Sequence, residues 1–255
     1  MSRQNWSREE LIIAFNLYCK TPFAKINASN KPIIDLAQII GRSPSALALK
    51  LVNFARLDPA LQQRGISGMS HGSKAEISIW NDFNNDWDKL AYESEQILSK
   101  YTGQSIENIS GIQQVQFELK GKDRESLIKT RVNQNFFRNT VLASYDYHCC
   151  ITGISVPELL VAGHIIPWSI DKENRMNPLN GICMNALHDK AFDKGLITIT
   201  PDYIIRISEK LEKHIDKPSS ESFFLPYVNT KISLPHRFLP DKRFLEYHNN
   251  EIFIH

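Results

Sequence analysis

Two histidines and one asparagine, His164, Asn180 and His188, follow one another at intervals of 16 and 8 residues. A neutral imidazole, with an ordinary pKa near ~6.5, can take a proton from water at neutral pH or hold a metal ion. Either ring taken singly reads as a satisfied core or turn residue, so the argument rests on the three together. Asp189 and Asp193 follow closely, with Asn185 just before His188, and each could add an oxygen donor for a hard cation. The four cysteines, at 19, 149, 150 and 183, form no C-x-x-C pair. Structural zinc is therefore not expected, and buried packing is the reading for Cys149, Cys150 and Cys183.

The surrounding pattern predicts the elements that carry these groups. Short extended segments are expected around Ile151 and over Leu159–Ile165, with Gly153 and Pro157 between them. His164 then ends the second strand. A loop follows, and a helix is expected from Gly181 to Lys194, closed by Gly195. The order is strand, strand, helix, with one histidine on a strand and the other on the helix. Trp168 reads as an anchor for the loop behind His164. A further helix over Ser126–Ser144 should bury Val132, Phe136, Leu142 and Tyr145. Its polar side should carry Lys129, Arg131, Gln134 and Arg138. Past Gly195, LITIT and YIIRIS predict a hairpin, and 209–255 should wrap irregularly with short strands.

The stretches CITG, GHIIPW, Asn180-Gly181 and HDKAFDKG resemble the HNH endonucleases of the ββα-metal superfamily, chiefly the subgroup in bacterial restriction and phage-defence proteins. The resemblance covers about 127–255. It implies metal-dependent hydrolysis of DNA phosphodiesters, with double-stranded DNA as partner. His164 would be the general base, Asn180 would hold its ring by side chain or backbone, and His188 would bind a divalent cation, Mg²⁺ first and Mn²⁺ second. Many members place Asp or His immediately before the base; here that residue is Gly163. Asp189 is the second metal ligand this implies, with Asn185 and Asp193 as alternatives.

The first hundred residues predict helices. Ser7 and Glu10 form a capping box, with Trp6 and Leu11 at staple positions. Helices over Pro32–Ile40 and from Pro44, joined at Gly41 and capped by Ser43, have the layout of a helix-turn-helix. Arg42, Ser43, Ser45 and Lys50 would then face DNA. One helix is expected over 75–98, which holds six acids and one base and should point away from phosphate. The fold class is α+β: a helical module at 1–104, a linker at 105–126 with one short strand, and an HNH domain at 127–255. Lys129, Arg131 and Arg138 are further candidate phosphate contacts.

Composition sets the outer limits. The 255 residues are 42% hydrophobic and 23% charged, which excludes a wholly disordered or fibrous chain. Lys plus Arg is 30 and Asp plus Glu 28, so nucleic-acid binding must come from local patches. There is no apolar run long enough for a membrane span. The start MSRQNWSREEL turns charged too early for a secretory leader, so a cytoplasmic location is expected. Cutting both strands would favour a homodimer. The alternatives are a nicking or structure-specific HNH enzyme, a DNA-binding regulator with a decayed site, and an RNA target.

Overall fold

The computed structural model describes residues 5–63, 65, 73–112, 121–215 and 218–255. The chain divides into two compact units, Met1–Thr140 and Val141–His255.

In the first unit, α1 (Arg8–Lys20) begins on the expected capping box: Ser7 Oγ accepts from Glu10 N at 3.1 Å, and Ser7 N donates to Glu10 Oε2 at 2.7 Å. Leu11 to Phe15 are all buried, so α1 is the core helix. Phe15 meets Phe54 and Trp80, with ring centroids 4.9 and 5.3 Å apart. The helices α2 (Lys31–Ile39) and α3 (Pro44–Ala55) keep the helix-turn-helix layout, with Gly41 at φ +67° in the turn and Ser43 capping α3. A short α4 (Pro59–Gln63) lies where a loop was expected; residues 64 and 66–72 of that loop lie outside the described residues.

The single helix expected over 75–98 is two, α5 (Lys74–Phe83) and α6 (Trp87–Thr102). Asp86 breaks the run by accepting from Lys89 N at 3.2 Å as a new N-cap. Its acids are not all solvated either: Glu76 and Glu95 are buried. The expected linker includes α7 (Ile106–Ile109), and its residues 113–120 lie outside the described residues. Next comes α8 (Lys122–Ser144), which buries Val132, Phe136 and Leu142 as the periodicity requires. The division between the units falls inside α8, because Phe136 stacks on Trp87 (centroids 6.3 Å apart) and Lys20 lies over its ring.

The second unit is built on β1 (Leu160–His164) and β2 (Gly181–Asn185), an antiparallel pair in which Leu160 faces Asn185 and His164 faces Gly181. Then follow α9 (Ala186–Asp193) and a hairpin of β3 (Ile197–Ile199) and β4 (Ile205–Ile207). The strand expected around Ile151 is instead a turn, with Gly153 at φ +74°. The second strand of the motif is β2, which the sequence reading had placed at the start of the helix. The C-terminal stretch carries short helices: α10 (Glu209–Glu212), α11 (Pro218–Phe224) and α12 (Lys242–Tyr247), the last widening into a π-turn over His248–Ile252. The only expected extended feature there is an isolated bridge between Ile204 and Lys231, among the described residues. No helix of the described residues is long and apolar enough to cross a membrane.

His248 ties this C-terminal stretch to α9. Its ring stacks on Phe192 at 3.6 Å between centroids. Nε2 donates to the Phe192 carbonyl at 3.1 Å, and Nδ1 accepts from the Thr198 hydroxyl at 2.8 Å. The neutral ring is thus fully satisfied, and burial pushes its pKa down to about 4 despite the Phe192 carbonyl. The folded pKa lies below the unfolded value, so this stabilisation is complete above pH ~6.5 and drains away as pH falls toward 4. The expected loss is on the order of 3 kcal/mol. Urea melts at pH 7, 5.5 and 4.5 should show it, and His248→Gln should flatten the slope. An equally steep acid loss in the variant would assign the effect to other groups.

Candidate active site

His164 sits at the end of β1, half-buried. Its Nε2 lies 2.9 Å from the Arg175 carbonyl oxygen. A carbonyl only accepts, so Nε2 carries the proton and Nδ1 the lone pair. Burial pulls the His164 pKa down; the Arg175 carbonyl and the Asp193 charge oppose it, and the Arg175 charge adds to it. The ring is therefore biased toward the neutral form a proton acceptor needs.

Asn180, fully buried, immediately precedes β2, and its side chain bonds to the backbone of the loop after His164. Its Oδ1 accepts from Ile166 N at 2.8 Å, and its Nδ2 donates to the carbonyls of Ile166 and Asn174 at 3.2 and 3.3 Å. Its own carbonyl accepts from Ile165 N at 2.9 Å. The amide thus pins both ends of the loop that supplies the Arg175 carbonyl, and holds the ring at one remove. Removing it strands a buried N–H and two carbonyls. Asn180→Ala is expected to cost about 2–4 kcal/mol in urea unfolding. Asn180→Asp should do no better, since a carboxylate would face two carbonyls; a variant of wild-type stability would contradict this wiring.

Asn185 is the N-cap of α9. Its Oδ1 accepts from the backbone N–H groups of Leu187 and His188, both at 3.1 Å, and Nδ2 donates to Thr152 Oγ1 at 3.1 Å and toward Cys149 Sγ at 3.6 Å. An asparagine just before a helix is a recognisable cap, and it was missed because the helix was started at Gly181. The three thiols Cys149, Cys150 and Cys183 are buried and unbridged, and burial with the neighbouring sulfurs holds the Cys150 thiol well above its ordinary pKa.

On α9, His188 and Asp189 point to different surroundings. His188 is buried, with Nδ1 3.1 Å from Asn185 Oδ1 and Nε2 2.9 Å from the Phe223 carbonyl. Its ring also packs on Phe224 and Tyr227, centroids 5.4 and 5.7 Å away. Burial lowers its pKa, and a neutral ring has one proton for two facing acceptors. Asp189 lies against Gly163: a β-carbon added there would collide with Asp189 Oδ1. A carboxylate from α9 thus occupies the space a side chain at position 163 would need. Burial, and then the Asp193 charge one turn on, raise the Asp189 pKa to about 6.

The resemblance to HNH nucleases implies a divalent metal. Asp189 and Asp193 are oxygen donors suited to such an ion. His188, with both ring nitrogens against oxygen acceptors, does not fit a cation as it stands. Among the described residues there is no group of three or more His, Cys, Asp or Glu arranged to hold a metal ion.

The structure treats the expected nucleic-acid contacts unequally. Arg42 is drawn inward, with Nε and Nη2 on the Glu10 carboxylate at 2.9 Å and the guanidinium 4.8 Å over Trp6. Lys50 pairs with the buried Glu76, which Arg56 also approaches at 3.6 Å. Arg42 and Lys50 are thus largely neutralised by acids 32 and 26 positions away in sequence. Ser43 and Ser45 are exposed at the start of α3, Ser43 serving as its cap. On α8, Arg131 and Arg138 are seven residues apart and share an exposed face. Lys129, also exposed, lies over the Tyr92 ring at 5.8 Å.

Residues 149–200 match the family described as HNH endonuclease. No curated protein matches the chain. The matched segment spans the turn at Cys149–Gly153, both strands of the β1–β2 pair, α9 and β3, and it contains His164, Asn180 and His188. Residues 149–200 are thus an HNH-type segment, which supports a nuclease.

Proposed function

We propose that the protein is a metal-dependent endonuclease that hydrolyses phosphodiester bonds in double-stranded DNA, in a restriction or antiphage setting. The observation that carries the reading is the His164 ring, held by the Arg175 carbonyl in the tautomer with its lone pair on Nδ1. In this reading Nδ1 takes the proton of the attacking water, and the Asn180-pinned loop keeps the ring from turning. Asp189, and His188 once its ring is released, would hold the cation; Mg²⁺ is the ion favoured, with Mn²⁺ a substitute. A divalent ion supplies Lewis acidity toward the phosphate oxygens. Ser43, Ser45, Lys129, Arg131 and Arg138 are exposed candidates for backbone or base contacts. Two copies would supply one site per strand, and sedimentation showing only monomer on DNA would remove the homodimer.

The test is cleavage of supercoiled plasmid with Mg²⁺, Mn²⁺ or EDTA, on modified and unmodified DNA side by side. Linear product dependent on metal supports the proposal, and open circles alone would reassign the protein as a nicking enzyme. Preference for modified or foreign DNA would support the defence role. A second reading, a DNA-binding regulator with a decayed site, draws on the engagement of both His188 ring nitrogens. Metal-independent DNA binding with no strand breakage under any condition would select it.

A further inference from the structure

We infer that Arg175 is the positioning residue of the His164 base: its main-chain carbonyl sets the tautomer, and its guanidinium locks that carbonyl in place by clamping Trp168. The inference rests on the reading of His164 as the base. It concerns a residue that the histidine–asparagine–histidine pattern does not include.

Three contacts close a ring of residues. Arg175 O accepts from His164 Nε2 at 2.9 Å. Arg175 Nε donates to the Trp168 carbonyl at 2.6 Å, and the guanidinium carbon stands 5.0 Å from the centre of the Trp168 ring. The Trp168 ring in turn meets the His164 ring edge to face, with centroids 5.5 Å apart and planes at 85°. One residue thus touches the base through its backbone and braces the aromatic wall beside the base through its side chain.

The rest of the loop supports the circuit. Asp171 Oδ1 accepts from the backbone N–H groups of Glu173 and Asn174 at 3.0 Å, and Asn174 Nδ2 returns to Asp171 Oδ2 at 2.7 Å. These bonds fix the turn leading into Arg175, and the Arg175 Nε–H ties that turn to Trp168. A carbonyl free to swing would let the His164 proton move between nitrogens, and the ring with its proton on Nδ1 cannot act as the base through that atom. Lysine cannot replace the clamp. It has the charge but neither an Nε–H in a planar group nor a face to stack on the indole.

The test uses the full chain, labelled with ¹⁵N, and reads the His164 imidazole nitrogens by long-range proton–nitrogen spectra, assigned by their loss in His164→Gln. In the wild type, Nε2 should show a protonated, pyrrole-type shift and Nδ1 a lone-pair, pyridine-type shift. Arg175→Ala, Arg175→Lys and Trp168→Leu should all show averaging between tautomers. Their kcat should fall on the order of 10–100-fold, with KM little changed. Circular dichroism identifies any variant that fails to fold, and the lysine variant, the mildest of the three, then decides. An unchanged His164 tautomer in a folded Arg175→Lys variant overturns the inference. So does full recovery of activity by lysine, which would make Arg175 a simple charge on the phosphate. Should the wild type cut no DNA, the nuclease reading fails, and the spectra still decide whether Arg175 sets the tautomer.

Discussion

His164→Ala is expected to lower metal-dependent plasmid cleavage by about 10²–10⁴-fold, the usual contribution of a positioned general base. The fold should survive. The β1–β2 pair is held by backbone register from Leu160↔Asn185 to His164↔Gly181, which alanine can maintain. What disappears includes the hydrogen bond to the Arg175 carbonyl and the edge contact with Trp168, at a cost of about 1–2 kcal/mol. Activity and stability should therefore separate cleanly. Rates on supercoiled plasmid, with urea melts of both proteins, give the two numbers. A variant that cuts at the wild-type rate would remove His164 from the chemistry.

The largest stability effect should come from Gly195→Ala. Gly195 ends α9 at φ +65°, a conformation that costs an L side chain about 1–2 kcal/mol. Its added β-carbon would also overlap the Ile252 carbonyl oxygen and come within 3.2 Å of Phe253 Cα. Neither neighbour is a flexible side-chain tip. The Gly195 carbonyl accepts from Ile254 N at 2.9 Å, so the two backbones are tied where they would have to part. A loss of about 3–5 kcal/mol is expected, enough to unfold a domain of ordinary stability. Gly153→Ala is the internal control. It has a similar positive φ but nothing within 4 Å of its β-carbon, so it should lose only about 1 kcal/mol. Equal losses in the two variants would mean that the C-terminal strand-like tail does not pack on α9 as described.

The elements that carry His164, Asn180 and His188 were partly legible because their signals are local. A histidine closing an apolar run, an asparagine-glycine step and a helix ending in glycine each have a meaning within a few residues. The second strand was misplaced for an equally local reason. Gly181–Asn185 is buried at every position, so it lacks the alternation that marks a half-exposed strand and reads as readily as a helix start. The break between α5 and α6 contains neither glycine nor proline, and only the Asp86 cap reveals it. What could not be read is pairing at a distance. Nothing in the order of residues says that Glu10 will claim Arg42, that Glu76 will claim Lys50, or that Asp189 will fill the space beside Gly163. The hold on His164 is a main-chain carbonyl, for which a sequence carries no residue-type signal at all.

The Phe223 carbonyl at His188 makes the α11 segment a competitor for that ring. A ring nitrogen can serve a carbonyl or a cation, not both at once. Any ion that used Nε2 would bind only the molecules in which this segment has lifted away. Its apparent affinity would be the intrinsic one multiplied by that fraction. If lifting costs about 1.4 kcal/mol, metal binding through His188 weakens about tenfold. Whatever stabilises the lifted form, whether DNA, a second copy or a partner on α11, would then raise the affinity for metal by the same factor and act as a switch on the nuclease.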